Sequence, residues 1–237
     1  MLFILKKNRL ISGFLILLLL AFVGGIIKTA VPSDEETFLP SVGRRIIIDA
    51  GHGAPDGGAV GDSGILEKDI NLSVALYLQK FLESGGTDVI LTRSDDNGIY
   101  DVSGSIKSKK VSDIKNREKI INESGADIFI SIHMNKFSDG RYSGPQVFYS
   151  PHIEKSEAIA ESIQQMLISD LKPQMEREIK KSDGGIYLLK KAQIPAVLIE
   201  CGFLSNPDEE KLLLSDDYRK KMAESIGKGI IKYLKNG

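Results

Sequence analysis

The sequence predicts an α/β fold: a single domain with a twisted, mostly parallel sheet and helices on both faces, preceded by an N-terminal membrane or signal helix. Short β-branched runs alternate with segments whose apolar residues recur at helical spacing, as in parallel sheets joined by helices. About 195 residues follow the N-terminal segments, a length that suits a single hydrophobic core. Hydrophobic residues make up 42% of the chain and charged residues 27%, which excludes a wholly disordered protein.

The N-terminal segment decides the predicted compartment. Residues 10–27, LISGFLILLLLAFVGGII, form an uncharged apolar run that follows the cationic segment KKNR. A membrane helix needs about 20 apolar residues, with a lower limit near 17, so this run is just long enough to cross a bilayer. Because cations stay on the cytoplasmic side, we expect everything after Ile27 to be extracytoplasmic. Residues 1–30 are predicted to be a signal peptide or, since Lys28 does not suit the −3 position before a cleavage after Ala30, a membrane anchor.

Residues 31–43 are polar, contain Pro and Gly and lack periodicity, so they are predicted to be a linker to a domain at 44–237. Residues 1–30 hold four of the 31 Lys and Arg residues and no acid, which leaves 27 cations against 32 acids in the rest of the chain. This acidic excess argues against a nucleic-acid-binding domain. The single Cys excludes an internal disulfide and a multi-Cys metal site.

Each element of the domain follows from a local pattern. RRIIID (44–49) is a β-branched run ended by Ala-Gly, as in a buried strand. Apolar residues at helical spacing predict a helix over 68–83, which Gly85-Gly86 ends. The same patterns give strands 87–93, 126–133, 145–150 and 196–201, a polar surface excursion 94–110, and helices 111–123, 154–171, 207–214 and 216–235.

Two histidines and two glutamates lie where such a sheet gathers ligands. His52 follows the first strand, His133 closes the strand 126–133, and Glu200 lies near the end of the strand 196–201. Ligands of open α/β sheets bind at the carboxyl ends of the strands, so these side chains can share one edge. The loop 51–64 then leads from His52 to Glu67 at the start of a helix.

Two imidazoles, one carboxylate and an open position make a hydrolytic zinc site. His52, Glu67 and His133 would supply the ligands, and the open position would hold a water whose pKa zinc lowers to about 7. Glu200 is the candidate for the carboxylate that takes the proton of this water and returns it to a leaving amine. Its strand is otherwise apolar, and a buried carboxylate without a partner is costly, so a metal site would explain its presence.

Spacing alone leaves a purely structural interpretation open. The chain has no short motif of the HExxH kind, and chance pairings are common among residues scattered over about 80 positions. His52 would then cap a turn, and His133 would be a core histidine bonded to a backbone carbonyl. Glu67 would be a first-turn acid favoured by the helix dipole.

Three further polar residues lie near the predicted edge. Asp49 precedes the Ala-Gly-His turn and could orient a ligand imidazole, or it could cap the turn. Asn135 and Arg93 follow strand ends, where they could contact glycan or peptide, or serve as exposed structural residues.

Other chemistries fit the chain less well. Cys201 would need an activating environment to act as a nucleophile with His133, whereas a Cys in an apolar strand is more often a small buried hydrophobe. Strand alternation also directs Cys201 away from Glu200. His152 is interpreted as a solvated loop or capping residue. The glycine-rich loop 51–64 lacks the GxxxxGK[ST] pattern, which argues against nucleotide binding.

Three segments carry a family resemblance: IIIDAGHGAPDGGAVGDSGILEKD (46–69), ADIFISIHMN (126–135) and IPAVLIECGFLSNPDEEKLL (194–213). In this order they resemble the zinc-dependent N-acetylmuramoyl-L-alanine amidases of bacterial cell-wall metabolism (amidase type 3), and the similarity runs from about Arg44 to the C-terminus. The resemblance implies His52, Glu67 and His133 as zinc ligands and Glu200 as the catalytic acid and base. One departure is Gly57, where proline is usual; it affects loop stiffness and no proposed ligand.

A narrower resemblance points to the germination-specific amidases of endospore formers. It is carried by the polar excursion 94–116, the segment NREKIINESGADIFISIHMN and the segment RYSGPQVFYSP (141–151). It implies removal of the peptide from muramic acid in spore cortex, in preparation for muramic-δ-lactam formation. The expected location is extracytoplasmic, in the intermembrane or cortex region of the spore.

The predicted function is hydrolysis of the amide bond between the lactyl group of N-acetylmuramic acid and L-alanine. The expected cofactor is Zn²⁺, and the expected partners are the peptidoglycan glycopeptide and, through residues 1–30, the membrane. No wall-binding repeat was found in the chain, which leaves room for an accessory protein that no residue identifies. Two alternatives stay open: a zinc peptidase that cuts within the stem peptide, and a non-catalytic wall-binding domain on the same fold.

Overall fold

A computed structural model describes residues 43–236. In this part, the chain forms six strands: β1 (Arg45–Ala50), β2 (Asp88–Leu91), β3 (Ile128–Asn135), β4 (Gln146–Tyr149), β5 (Lys180–Lys181) and β6 (Ala196–Phe203). Six helices accompany them: α1 (Glu67–Ser84), α2 (Ile106–Glu123), α3 (Lys155–Leu171), α4 (Tyr187–Lys191), α5 (Pro207–Leu214) and α6 (Asp216–Asn236). The α/β prediction is therefore confirmed.

The predicted membrane or signal helix within residues 1–30 lies outside the described residues, as does the linker up to residue 42. None of the helices within 43–236 has the length and apolar character that a membrane span requires.

The sheet is mostly parallel, as expected, but mixed: one of its five strand pairings is antiparallel. Its strands lie in the order β2-β1-β3-β6-β4-β5. The strands β2, β1, β3 and β6 run parallel, whereas β4 pairs antiparallel with β6 and parallel with β5. The connection 136–145 between β3 and β4 contains no helix. A parallel crossover needs about a dozen residues or more, usually with a helix, so β4 enters the sheet in the opposite direction.

Strand alternation gives the sheet two differently covered faces. Ile46 and Ile48 of β1 belong to the larger apolar cluster, which the helices α1, α3 and α6 complete. Ile47 belongs to a smaller cluster, to which α2 and α4 contribute. Side chains of one strand therefore face two separate helix layers, as the sequence predicted.

Two local differences have physical causes. The helix α2 begins at Ile106 rather than at 111, because Ser105 caps it: its Oγ accepts the Ser108 N–H at 3.2 Å. The first turn of α2 is exposed and mostly polar, so it lacks the buried apolar residues at helical spacing from which a helix is predicted. The sequence interpretation also missed β5, a two-residue strand, and α4, a five-residue helix, since both are too short for a periodic signal.

Candidate metal centre and active site

The His52 turn begins where β1 ends. Gly51 donates its N–H to the Ile132 carbonyl at 3.0 Å, which extends the pairing of β1 with β3 by one residue. His52 then adopts a left-handed backbone with φ of 63°, a conformation that costs a non-glycine residue free energy and is found preferentially at functional sites. A Cβ on Gly51 would lie 2.3 Å from Nε2 of His133. Glycine at position 51 is therefore what allows the His133 ring to lie beside the turn.

Glu67, the first residue of α1, connects the two histidines. Its Oε1 lies 2.9 Å from Nδ1 of His133, and its Oε2 lies 3.2 Å from Nε2 of His52. Backbone N–H groups hold the carboxylate in place: Met134 donates to Oε1 at 3.1 Å and Ala59 donates to Oε2 at 2.8 Å. The side chain is only 5% exposed, so both of its oxygens are fixed towards the imidazoles.

Glu200 stands beside His133 because β3 and β6 are adjacent and parallel. The Cα atoms of His133 and Glu200 are register partners, so both side chains leave the sheet on the same face. Among the described residues, Oε2 of Glu200 is buried without a hydrogen-bond partner. Burial raises the pKa of Glu200 to about 7, and the negative charge of Glu67 adds to this shift, while the His133 and His52 imidazoles oppose it.

The cluster fits a divalent cation. His52, Glu67 and His133 each offer a ligand atom, and these atoms lie within 4.8 Å of one another. Two imidazole nitrogens and a carboxylate oxygen are a donor set that zinc accepts. Burial lowers the pKa of His52, but the hydrogen bonds and charges of Glu67 and Asp56 outweigh it and raise this pKa to about 9. The carboxylates of Glu67 and Asp56 thus favour a positive charge between them, and the protonated His52 imidazole provides it.

The sequence interpretation assigned no role to Asp56. Its Oδ2 lies 2.9 Å from Nδ1 of His52, and its other oxygen lies 2.7 Å from Nζ of Lys110. A carboxylate on one ring nitrogen fixes the tautomer and orients the other nitrogen towards a metal. The position of Asp56 four residues after His52 was the available signal, but the left-handed turn that brings the two together has no sequence period.

Asp49, which was expected to orient an imidazole or to cap the turn, contacts other groups. It accepts hydrogen bonds from Ser131 Oγ at 2.6 Å and Thr92 Oγ1 at 2.8 Å, and it pairs with the Arg117 guanidinium. Arg117 in turn donates to the backbone carbonyls of Ala50 and His52. Asp49 therefore acts on the histidine turn through Arg117.

Arg117 was also without an assigned role, although the sequence carried a signal for it. In the predicted helix 111–123, this charged residue shares a face with Ile114 and Ile121. The structure buries it, with its Nε donating to Asp113 at 2.7 Å and its Nη1 paired with Asp49. A cation on the apolar face of a helix indicates a buried partner, and here the partner is Asp49 on the sheet.

The other two residues predicted near the edge differ in exposure. Arg93 is buried, and its guanidinium donates to the carbonyls of Ala50, Gly51, Lys68 and Asp95 at 2.8–3.0 Å. It thus supports the backbone under the histidine turn. Asn135 ends β3, is half-buried, and accepts the Leu204 N–H through its backbone carbonyl.

The remaining candidates have ordinary structural surroundings. Cys201 is fully buried in the larger apolar cluster, and burial raises the pKa of its thiol well above the usual value. A thiol in this state is a poor nucleophile, as expected. His152 is exposed in the loop before α3.

Comparison with known proteins gives one consistent match. A family model described as N-acetylmuramoyl-L-alanine amidase matches residues 46–232. The germination-specific N-acetylmuramoyl-L-alanine amidase of Bacillus subtilis strain 168 is 38% identical over 231 residues, which cover 96% of this chain and 95% of that protein.

Solved structures agree with this match. The CwlD amidase from Clostridioides difficile, solved in complex with the GerS lipoprotein, has a TM-score of 0.79 and 44% identity, covering 82% of this chain and all of that one. An N-acetylmuramoyl-L-alanine amidase from Clostridium difficile 630 has a TM-score of 0.70 and 31% identity, covering 81% of this chain and 97% of that one.

Proposed function

The chain belongs to the N-acetylmuramoyl-L-alanine amidase family and is a peptidoglycan amidase, and from this premise we propose a zinc-dependent enzyme. It hydrolyses the amide bond that joins the lactyl group of N-acetylmuramic acid to L-alanine. The observation that carries the proposal is one cluster: His52, Glu67 and His133 converge within 4.8 Å, and Glu200 is the register partner of His133.

His52, Glu67 and His133 would hold the zinc ion. When bound, zinc supplies Lewis-acid polarisation of the scissile carbonyl and acidifies a water. The Asp56 carboxylate, 2.9 Å from Nδ1 of His52, keeps the proton on that nitrogen and leaves Nε2 free as a ligand atom. Backbone donors from Met134 and Ala59 fix the Glu67 carboxylate.

Glu200 performs the proton transfers in this mechanism. Its carboxylate accepts a proton from the attacking water and then donates it to the departing amine of alanine. Burial, which raises the pKa of this carboxyl to about 7, favours its protonated form and so helps it to take up the proton of the water. Its buried Oε2 has no protein partner among the described residues, so it is available to the substrate and water.

Its relatives suggest where the enzyme acts. One relative is named a germination-specific amidase, and a structural neighbour forms a complex with a lipoprotein. We extend the proposal accordingly: this chain removes stem peptides in spore cortex, in preparation for muramic-δ-lactam formation. The apolar run at residues 10–27 supports a location outside the cytoplasm with attachment to the membrane by residues 1–30. An accessory lipoprotein is the expected partner of the chain.

Product mass spectrometry on defined muropeptides tests the activity. The purified chain should release the intact stem peptide with a free alanine amine and leave a free lactyl carboxylate on the sugar. A chelator should abolish the reaction and added zinc should restore it. A peptide cut internally and still attached to muramic acid would instead support the peptidase alternative. No product from the zinc-loaded protein would support a non-catalytic domain.

A further inference from the structure

A cavity of about 220 Å³ lies directly beside the two histidines. His52 and His133 border it on one side, and α2 borders it on the other. The side chains of Ile114 and Leu188, with Pro55, give it an apolar part. A ligand group that enters this cavity is therefore adjacent to the proposed reaction centre.

The acidic side chains around the cavity all have cationic partners within the protein, and Asp49 and Asp113 share one of them, Arg117. Asp49 pairs with Arg117, and Asp113 accepts from both Arg117 and the Ile99 N–H. Asp56 contacts His52 and Lys110. Each of these carboxylates thus has a cationic partner within the protein.

Two lysines of α2 also line the cavity, and of these Lys109 has no carboxylate partner among the described residues. Nζ of Lys110 lies 2.7 Å from Asp56, and its side chain is 49% exposed, which leaves donors free. Lys109 is half-buried, and its Nζ lies 4.7 Å above the centre of the Tyr100 ring. Among the residues that the structure describes, no carboxylate lies within ion-pair distance of Lys109. The aromatic ring fixes the ammonium group without neutralising its charge.

We propose that this cavity, with Lys109 as its principal cation, binds the free carboxylate of the second residue of the stem peptide. This inference rests on the proposed amidase function. The substrate is asymmetric about the scissile bond: the N-acetylated sugars are neutral, whereas the peptide beyond alanine carries carboxylates. An extended peptide spans about 3.5 Å per residue, so the residue after alanine is the first one beyond the scissile bond that can enter a cavity bordering His52. Because Lys109 belongs to α2, the peptide part of the substrate would lie on the α2 side of the site.

Two substrates, tested on the wild type and three variants, examine the subsite. The substrates are disaccharide dipeptides with the same glycan and L-alanine, whose second residue carries either a free α-carboxylate or an α-carboxamide. For the wild type, KM should be about fivefold lower with the carboxylate substrate, with kcat little changed, as one charge pair of modest strength implies. Lys109→Gln should remove this preference, and Lys109→Arg should keep it.

Lys107→Gln is the matched control, because it removes one exposed cation from the same turn of α2. It should leave the preference for the carboxylate intact. Equal KM values for both substrates with the wild type would overturn the subsite proposal, as would an unchanged preference in Lys109→Gln. Both of these results require turnover, so they leave the amidase function standing; failure of the wild type to release peptide from either substrate would instead overturn the amidase proposal and the subsite with it.

Discussion

The two faces of the sheet are built from the same strands but from different kinds of contact. The face covered by α1, α3 and α6 is apolar and tightly packed; a Cβ on Gly229 of α6, for instance, would lie 2.6 Å from the Cα of Ile163 on α3. The face covered by α2 and α4 has a smaller apolar cluster, a buried Asp49–Arg117 pair and the cavity beside the histidines. Most of the apolar core thus lies on one side of the sheet, and the cavity and the buried ion pair lie on the other.

Alternation along each strand produces this division. Ile132 lies in the larger apolar cluster and the next residue, His133, lies in the site; Ile199 and Glu200 repeat the arrangement on β6. The comparison predicts that substitutions of polar residues on the α2 side change turnover or metal binding, whereas substitutions of the buried apolar residues of α1, α3 and α6 change the free energy of unfolding alone. The following substitutions test it.

Glu200→Gln should have the largest effect on activity. It removes the proton acceptor, so kcat should fall by about 10²- to 10⁴-fold. Because Oε2 of Glu200 is buried without a partner among the described residues, the neutral amide should leave the thermal midpoint unchanged or raise it. Turnover, zinc content and thermal unfolding are measured on the same preparation. A wild-type rate would contradict the assigned role.

Leu78→Ala tests the opposite face. Leu78 is fully buried in the larger cluster, so its truncation should cost about 2–5 kcal/mol of unfolding free energy through lost burial and a cavity. The KM of the folded enzyme should not change. Leu76→Ala is the control on the same helix, since Leu76 is 38% exposed and its loss should cost less than about 0.5 kcal/mol. Urea unfolding and steady-state kinetics measure the two effects.

Asp49→Asn should affect both properties, because it leaves the Arg117 guanidinium, 3% exposed, without one of its carboxylates. We expect a loss of about 3 kcal/mol in unfolding free energy, and weaker zinc binding through the His52 turn. Urea titration and a zinc competition assay measure these changes. If stability falls while zinc affinity is retained, the pair is independent of the metal turn.

The same pair predicts an acid dependence. Burial raises the pKa of Asp49, but the Arg117 charge and the Ser131 and Thr92 hydrogen bonds outweigh it and hold this pKa below the usual 3.8. The stabilisation from ionised Asp49 is therefore complete above pH 3.8 and is lost as the pH falls through the lower folded-state value. The stability difference between wild type and Asp49→Asn should accordingly shrink in strong acid. If the stability difference between wild type and Asp49→Asn stayed constant as the pH fell well below 3.8, the ion pair of Asp49 with Arg117 would not be its source.

Asp56→Asn should produce the smallest of these effects. It weakens the hydrogen bond that orients His52, so zinc affinity should fall by about 10- to 100-fold while the fold is retained. Asp62→Asn, an exposed position in the same loop, should leave the affinity unchanged. Competition with a chelating dye measures both variants. Equal affinities would remove Asp56 from the metal site.

Much of the site could be predicted from strand ends and alternation. A parallel sheet brings the ends of neighbouring strands together, which predicted His52, His133 and Glu200 at one edge with Glu67 after the adjoining loop, and the family resemblance implied the same residues. The roles of Asp56 and Arg117 depend instead on a left-handed turn and on the docking of α2. Both are tertiary features without a period in the sequence. The reversal of β4 depends likewise on a connection too short for a crossover.

The position of β4 has a consequence for β6, the strand that carries Glu200. Glu200 has a backbone neighbour on each side, His133 on β3 and Gln146 on β4, so β6 is an interior strand. Adjacent strands lie about 4.8 Å apart whatever their connections, so the sheet itself sets the spacing between the Glu200 backbone and the metal-binding edge. The pairing of the strands thus fixes the distance between the backbone of Glu200 and that of His133. A change in the loops around the sheet therefore leaves this spacing unaltered.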